Sequence, residues 1–116
     1  MKLYDSEMKI MELIWKNEPI SAKELSLIAK KDIGWNKNTT YTVIKKVIEK
    51  GYVKREDPAF ICSSLISSKE VSKNETKNLI DRLFGGSKKA LFSALLEDEE
   101  LTSDDITALR EMIDKR

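Results

Sequence analysis

Histidine is absent from the 116 residues, and cysteine occurs once, at Cys62. No Ser/His or Cys/His nucleophilic pair can therefore be assembled, no internal disulfide can close, and a Cys/His metal site within one subunit is excluded. Glycine is scarce, at four residues, and none falls in a phosphate-cradling loop pattern. An enzyme is not expected, and no cofactor is implied. No apolar run approaches membrane-spanning length, and the opening MKLYDSEMK has no apolar signal core. The expectation is a soluble, cytoplasmic protein without membrane insertion, and a lone thiol suits a reducing compartment. Net charge is also small, at +1, which argues against a protein that coats nucleic acid indiscriminately.

The charge that is present is unevenly placed. Residues 1–68 hold twelve basic and nine acidic side chains, while residues 69–116 hold nine and eleven. Between Lys37 and Arg55 there are five lysines, one arginine and a single acid, Glu49. Local charge of this kind, rather than the total, sets affinity for phosphates. The acids from Glu97 to Glu100 read as a solvated connector.

The stretch WNKNTTYTVIKKVIEKG organises the rest. Asn36 precedes a helical pattern as a natural N-cap and Gly51 follows it as a left-handed C-cap, which bounds a helix over 37–50. Thr40, Val43, Ile44, Val47 and Ile48 recur at the spacing of one helix face. Asn38, Thr39, Thr42, Lys45, Lys46 and Glu49 fall opposite. Short hydrogen-bonding side chains followed by a lysine pair suit base edges and phosphates: Asn for adenine, Thr for a thymine methyl, Lys for guanine or phosphate.

Around it the chain reads in order. Asp5-Ser6-Glu7 starts a helix that runs through Lys16, with Met8, Met11, Ile14 and Trp15 as its apolar stripe. Pro19 interrupts. Ser21 with Glu24 forms a capping box for a second helix to about Lys31. Asp32 to Trp35 is a link with one strand-like pair, and Trp35 plugs the core. After Gly51 the period changes to two. Tyr52-Val53 and Ala59–Cys62 read as strands of a hairpin whose tip is Lys54–Pro58, and Cys62 reads as a small buried hydrophobe. Residues 63–68 read as a connector. A helix then runs from a capping box at Ser67 to Phe84, a second follows Gly85-Gly86 and Ser87, and a third follows Thr102. Their apolar residues Leu79, Leu83, Phe84, Leu91, Phe92, Leu95, Leu96, Ile106, Leu109 and Ile113 are too many for three short helices to bury alone. Pairing with a second copy about a two-fold axis is the simplest solution.

The expected fold is therefore mainly α with a small β-hairpin wing. It consists of a winged helix-turn-helix over 1–68 and a three-helix dimerisation tail over 69–116. In that arrangement the third helix enters the major groove, and Lys54 and Arg55 of the hairpin meet phosphates.

At this point the chain resembles the penicillinase repressors of Gram-positive bacteria. The resemblance is carried by EMKIMELIWKNEPISAKEL, WNKNTTYTVIKKVIEKGYV, FICSSLIS and LFGGSKKALFSALLEDEELTSDDITALREMIDK. It implies a homodimeric transcriptional repressor of antibiotic-resistance genes. Asn38, Thr39, Thr42 and Lys46 would face a double-stranded operator, with Lys37 adding charge at the first turn. The family usually has Ser-Pro-Lys-Thr at the positions of Asn36 to Thr39, and Arg at Lys46. Lysine lacks the planar fork that grips guanine, so a different operator is expected. The family is induced through a membrane-bound sensor linked to a protease that cuts an Asn-Phe bond. The tails align that bond with Ala94-Leu95. The alternative to a repressor is a winged-helix protein-interaction adaptor without specific DNA binding, since fold alone does not settle function.

Overall fold

A computed structural model describes residues 3–97 and 100–116 of the chain. Two units are distinguished, one ending at Lys73 and one beginning at Asn74.

In the first unit, helix α1 (Asp5–Asn17) carries Asp5 and Glu7 in its first turn, at the positive end of its dipole. Pro19 cannot continue a helix, and Glu18 turns the chain into extended backbone. A two-residue strand, β1 (Ile20–Ser21), follows. Ser21 then caps α2 (Ala22–Asp32), its hydroxyl accepting from the Glu24 amide at 3.1 Å. Gly34 follows with φ +85°, a conformation that costs glycine nothing. Asn36 caps α3 (Lys37–Glu49), its side-chain oxygen accepting from the Thr39 amide at 2.8 Å. Gly51, at φ +80°, reverses the chain into the sheet.

The sheet has three strands in the order β1-β3-β2, all antiparallel, where β2 is Val53–Glu56 and β3 is Ile61–Ser64. Arg55 pairs with Cys62, and Ile20 also pairs with Cys62 from the other side. This corrects the sequence reading in three places. The strand-like pair lies at Ile20–Ser21, not between Asp32 and Trp35. Lys54 and Arg55 belong to a strand, and the reversal is made by residues 57–60, so Ala59 and Phe60 leave the strand. Ser63 and Ser64 extend β3 instead of opening the connector. In each case cross-strand pairing decided the boundary, and no residue type in a four-residue strand can announce its partner.

The core lies where α1, α2, α3 and the sheet converge. Ile10, Met11 and Ile14 meet Ala22, Leu25, Ala29, Val43, Ile44 and Val47, closed below by Val53 and Cys62. Each such large side chain contributes about 1.5–3 kcal/mol when removed from water. Trp35 packs against this core while remaining partly exposed. Two further ties hold the edges. The Glu18 carboxylate accepts from the Ser64 amide and hydroxyl at 2.8–2.9 Å. The Trp15 indole donates to the Ile66 carbonyl at 3.0 Å.

Helix α4 (Ser68–Phe84) begins after Ser67, whose hydroxyl accepts from the Glu70 amide, and Val71 joins the core of the first unit. In the second unit, Gly85 and Gly86 end α4 with positive φ. Ser87 caps α5 (Lys88–Leu96) and Thr102 caps α6 (Ser103–Asp114), each accepting from an amide at 3.0–3.1 Å. Of the expected acidic connector, Asp98 and Glu99 lie outside the described residues. Helices α5 and α6 contain no buried residue.

Candidate nucleic-acid interface

Helix α3 is held on its inner side and open on its outer side. Thr40, Val43, Ile44 and Val47 are buried. The buried Thr40 hydroxyl donates to the Asn36 carbonyl at 3.1 Å, so no polar atom is stranded there. Lys37, Asn38, Thr39, Thr42, Lys45 and Lys46 are all exposed. The Thr42 hydroxyl donates back to the Asn38 carbonyl at 2.8 Å, which leaves its methyl and lone pairs outward. The charges of Lys45 and Lys46 have no acidic partner within 4 Å among the described residues. The outer face thus combines amide and hydroxyl groups in the first two turns with unneutralised cations in the last two.

The far end of α3 is fixed by an ion pair that the sequence did not advertise. Lys50 Nζ lies 2.6 Å from Glu7 Oε1, and 4.7 Å above the Tyr4 ring. Glu7 is nearly sealed from solvent, and the same carboxylate oxygen accepts from the Tyr4 amide at 2.8 Å. Burial pushes this carboxyl up. The hydrogen bonds from Lys50 and Tyr4 and the charges of Lys50 and Lys46 more than reverse that, and hold it below its ordinary value. A glutamate at a helix start is normally read as a solvated dipole partner. Its reach across to the end of α3 is a tertiary fact.

The wing differs electrostatically from the helix. Lys54 pairs with Glu56 at 2.9 Å, and Arg55 Nε pairs with Asp57 Oδ1 at 2.9 Å. The Arg55 guanidinium also lies 3.6 Å from the centre of the Phe60 ring. Phe60 meets Tyr41 of α3 edge to face at 5.8 Å, and Lys37 lies 5.8 Å from the centre of the Tyr41 ring. Phe60 adopts φ +52°, a left-handed conformation that costs a non-glycine residue about 1–3 kcal/mol unless its surroundings hold it. Its carbonyl accepts from the Ala22 amide at 2.9 Å, at the first turn of α2. Sequence reasoning missed Phe60, Tyr41 and Asp57. The available signal was the four-residue spacing of Lys37 and Tyr41 on one helix face.

Cys62 is fully buried between the strands, and burial raises its thiol pKa. Such a thiol behaves as a small hydrophobe and is inert. Among the described residues no group of three or more His, Cys, Asp or Glu side chains could hold a metal ion. No helix among them is long and apolar enough to cross a membrane.

On the second unit, Leu83, Phe92, Leu95, Leu96, Ile106, Met112 and Ile113 are exposed by 40–65%. Leu79, Phe84, Leu91 and Leu109 are half-buried. Phe92, Leu96, Ile106, Leu109, Arg110 and Ile113 line an apolar groove of about 280 Å³. Ala94 and Leu95 are exposed and sit inside α5, near its C-terminal end.

Against known proteins, the family model described as penicillinase repressor matches residues 3–115. The methicillin resistance regulatory protein MecI of Mammaliicoccus sciuri is 25% identical over 117 residues, covering 99% of this chain and 95% of its own. The penicillinase repressor of Staphylococcus aureus is 26% identical over 110 residues, covering 93% and 87%. Among solved structures, monomeric BlaI of Bacillus licheniformis in complex with the blaP half-operator matches with a TM-score of 0.52 at 25% identity. That match covers 60% of this chain and 88% of that one.

Proposed function

The chain belongs to the penicillinase repressor family, and from that premise we propose that it is a homodimeric transcriptional repressor acting on a pseudo-palindromic operator. The observation that carries this reading is the outer face of α3, where Asn38, Thr39, Thr42, Lys45 and Lys46 stand exposed on a helix clamped at both ends. Helix α3 lies in the major groove, with Asn38, Thr39, Thr42 and Lys46 toward base edges and Lys37 and Lys45 toward phosphates. Lys54 and Arg55 follow the backbone beside it. An apolar or acidic outer face would have favoured a protein-interaction adaptor, and the residues there are polar and basic. A relative with the same fold has been solved on a half-operator, which supports the same docking here.

The apolar faces of α5, α6 and the last turns of α4 belong against a second copy, through Leu79, Leu83, Phe84, Leu91, Phe92, Leu95, Leu96, Ile106, Leu109 and Ile113. The dimer represses by occupying a promoter, and losing the tail contact releases it. A membrane-sensor-linked protease cutting at Ala94-Leu95 would have that effect. Because the bond lies in helix α5, the segment must unwind before an extended-substrate protease can engage it.

The test is protection of the gene's own upstream DNA by the purified protein, with salt titrated. Two protected half-sites about one or two duplex turns apart are expected. Asn38, Thr42, Lys45 and Lys46 replaced together by Ala should abolish that protection. Specific protection surviving this change, or no binding by the wild-type protein even at low salt, overturns the reading.

A further inference from the structure

The cations of the wing and those of α3 are in different states. Lys45 and Lys46 have no acidic partner within 4 Å among the described residues, whereas Lys54 and Arg55 each have one two residues further along the chain. Arg55 is further constrained, because its guanidinium sits on the face of Phe60, 3.6 Å from the ring centre. A flat cation on a ring face keeps its N–H donors at its edge, available to an anion. Phe60 is itself held from three directions. Its carbonyl takes the Ala22 amide, the next residue, Ile61, pairs with Ser21, and its ring abuts Tyr41 of α3. The row Lys37, Tyr41, Phe60, Arg55 therefore runs from the first turn of α3 to the wing as one connected stack.

We propose that Phe60 is a positioning residue, presenting the Arg55 guanidinium to one DNA phosphate at a fixed distance from α3, and that Asp57 occupies that guanidinium until the phosphate replaces it. The inference rests on the operator-binding reading above. The carboxylate is a suitable placeholder: it takes only Nε, at 2.9 Å, and its side chain is 61% exposed, so a phosphate can approach the remaining donors. Phosphate is the stronger competitor, because a duplex offers a dense line of charge and releases counterions when one is neutralised. The geometry couples wing and helix. A protein whose α3 is misdocked leaves Arg55 paired with Asp57, so the wing adds little to non-specific affinity. A correctly docked α3 carries Arg55 to its phosphate.

The experiment measures binding of the protected upstream duplex as a function of salt for the full chain and six variants. Arg55→Ala and Phe60→Leu should each lower the log–log salt slope by about 0.9, the value of one phosphate, and weaken binding several-fold. Combining them should lose no more than either alone. Phe60→Tyr keeps a ring and should keep the wild-type slope, which a loss through general destabilisation would not predict. Asp57→Asn, at an exposed position that leaves folding intact, should tighten binding several-fold. It should do so far less in an Arg55→Ala background. Equal gains in the two backgrounds, or a wild-type slope in Phe60→Leu, overturn the inference while leaving the repressor reading standing. Failure of the wild-type protein to bind the duplex at all overturns both.

Discussion

Glu7 is a carboxylate that the first turn of a helix would leave in water, yet its side chain is 2% exposed and 2.6 Å from Lys50. Its residue type and its place near Asp5 were legible as a helix start. That it also reaches Lys50, 43 positions on, was not, because no local pattern encodes which helix ends meet. The pair sets a pH dependence whose sign follows from the lowered carboxyl. The folded-state value lies below the ordinary 4.5. The stabilisation is therefore fully present above about 4.5 and is lost as pH falls through the folded value. Glu7→Gln should cost about 1.5–3 kcal/mol at neutral pH, the range for a hydrogen bond to a charged group. That cost should shrink on acidification below the ordinary carboxyl range. Urea unfolding of both proteins at pH 7 and at pH 3 checks it. A cost that stays constant between the two would mean that packing, not the ion pair, is what Gln disturbs.

Elements were most legible where a capping side chain marks them, since Ser21, Asn36, Ser87 and Thr102 each bind the amide three residues on. A cap is a local bond, and its donor and acceptor both lie within the window that periodicity reads. The sheet was least legible. Its strands run two to four residues, too short for alternation to fix a register. Strand β1 follows directly on a proline and looks like a loop until β3 pairs with it. If α3 reads the operator as proposed, its cap also bears on binding. Asn36→Ala removes the acceptor of the Thr39 amide and should cost about 1 kcal/mol of stability. It also loosens the turn that carries Asn38 and Thr39, while Lys45 and Lys46 stand two turns away. Specific binding should therefore fall more than non-specific binding, measured as the ratio of affinities for the protected duplex and an unrelated one at a single salt concentration. An unchanged ratio would place sequence choice elsewhere than the first turn of α3.

At the scale of the molecule, the two units differ in how far they satisfy themselves. The first closes a core from three helices and a sheet. In the second, the described residues bury little, with Ile80 the only hydrophobic residue there to be buried and seven large apolar side chains exposed by 40% or more. An apolar surface of that extent on three short helices is unstable in water without a partner. The excess of apolar residues was evident from composition alone, because covering them needs more surface than under fifty residues provide. Which of them face outward needed coordinates. Ile106→Asp with Leu109→Asp puts two charges into the groove shared with Phe92, Leu96 and Ile113. Desolvating them would cost several kcal/mol each, so if the tail pairs two copies as proposed, sedimentation should show dimers for the wild-type chain and monomers for the variant. The melting temperature should lose its dependence on protein concentration. The first unit keeps its own core, so binding of a half-site duplex should persist. Binding of the full pseudo-palindrome should fall toward the half-site value, because the second recognition helix no longer arrives at high effective concentration. Retained tight binding of the full site by the doubly charged monomer would mean that the two copies meet through the first unit, and that the apolar tail serves a different partner.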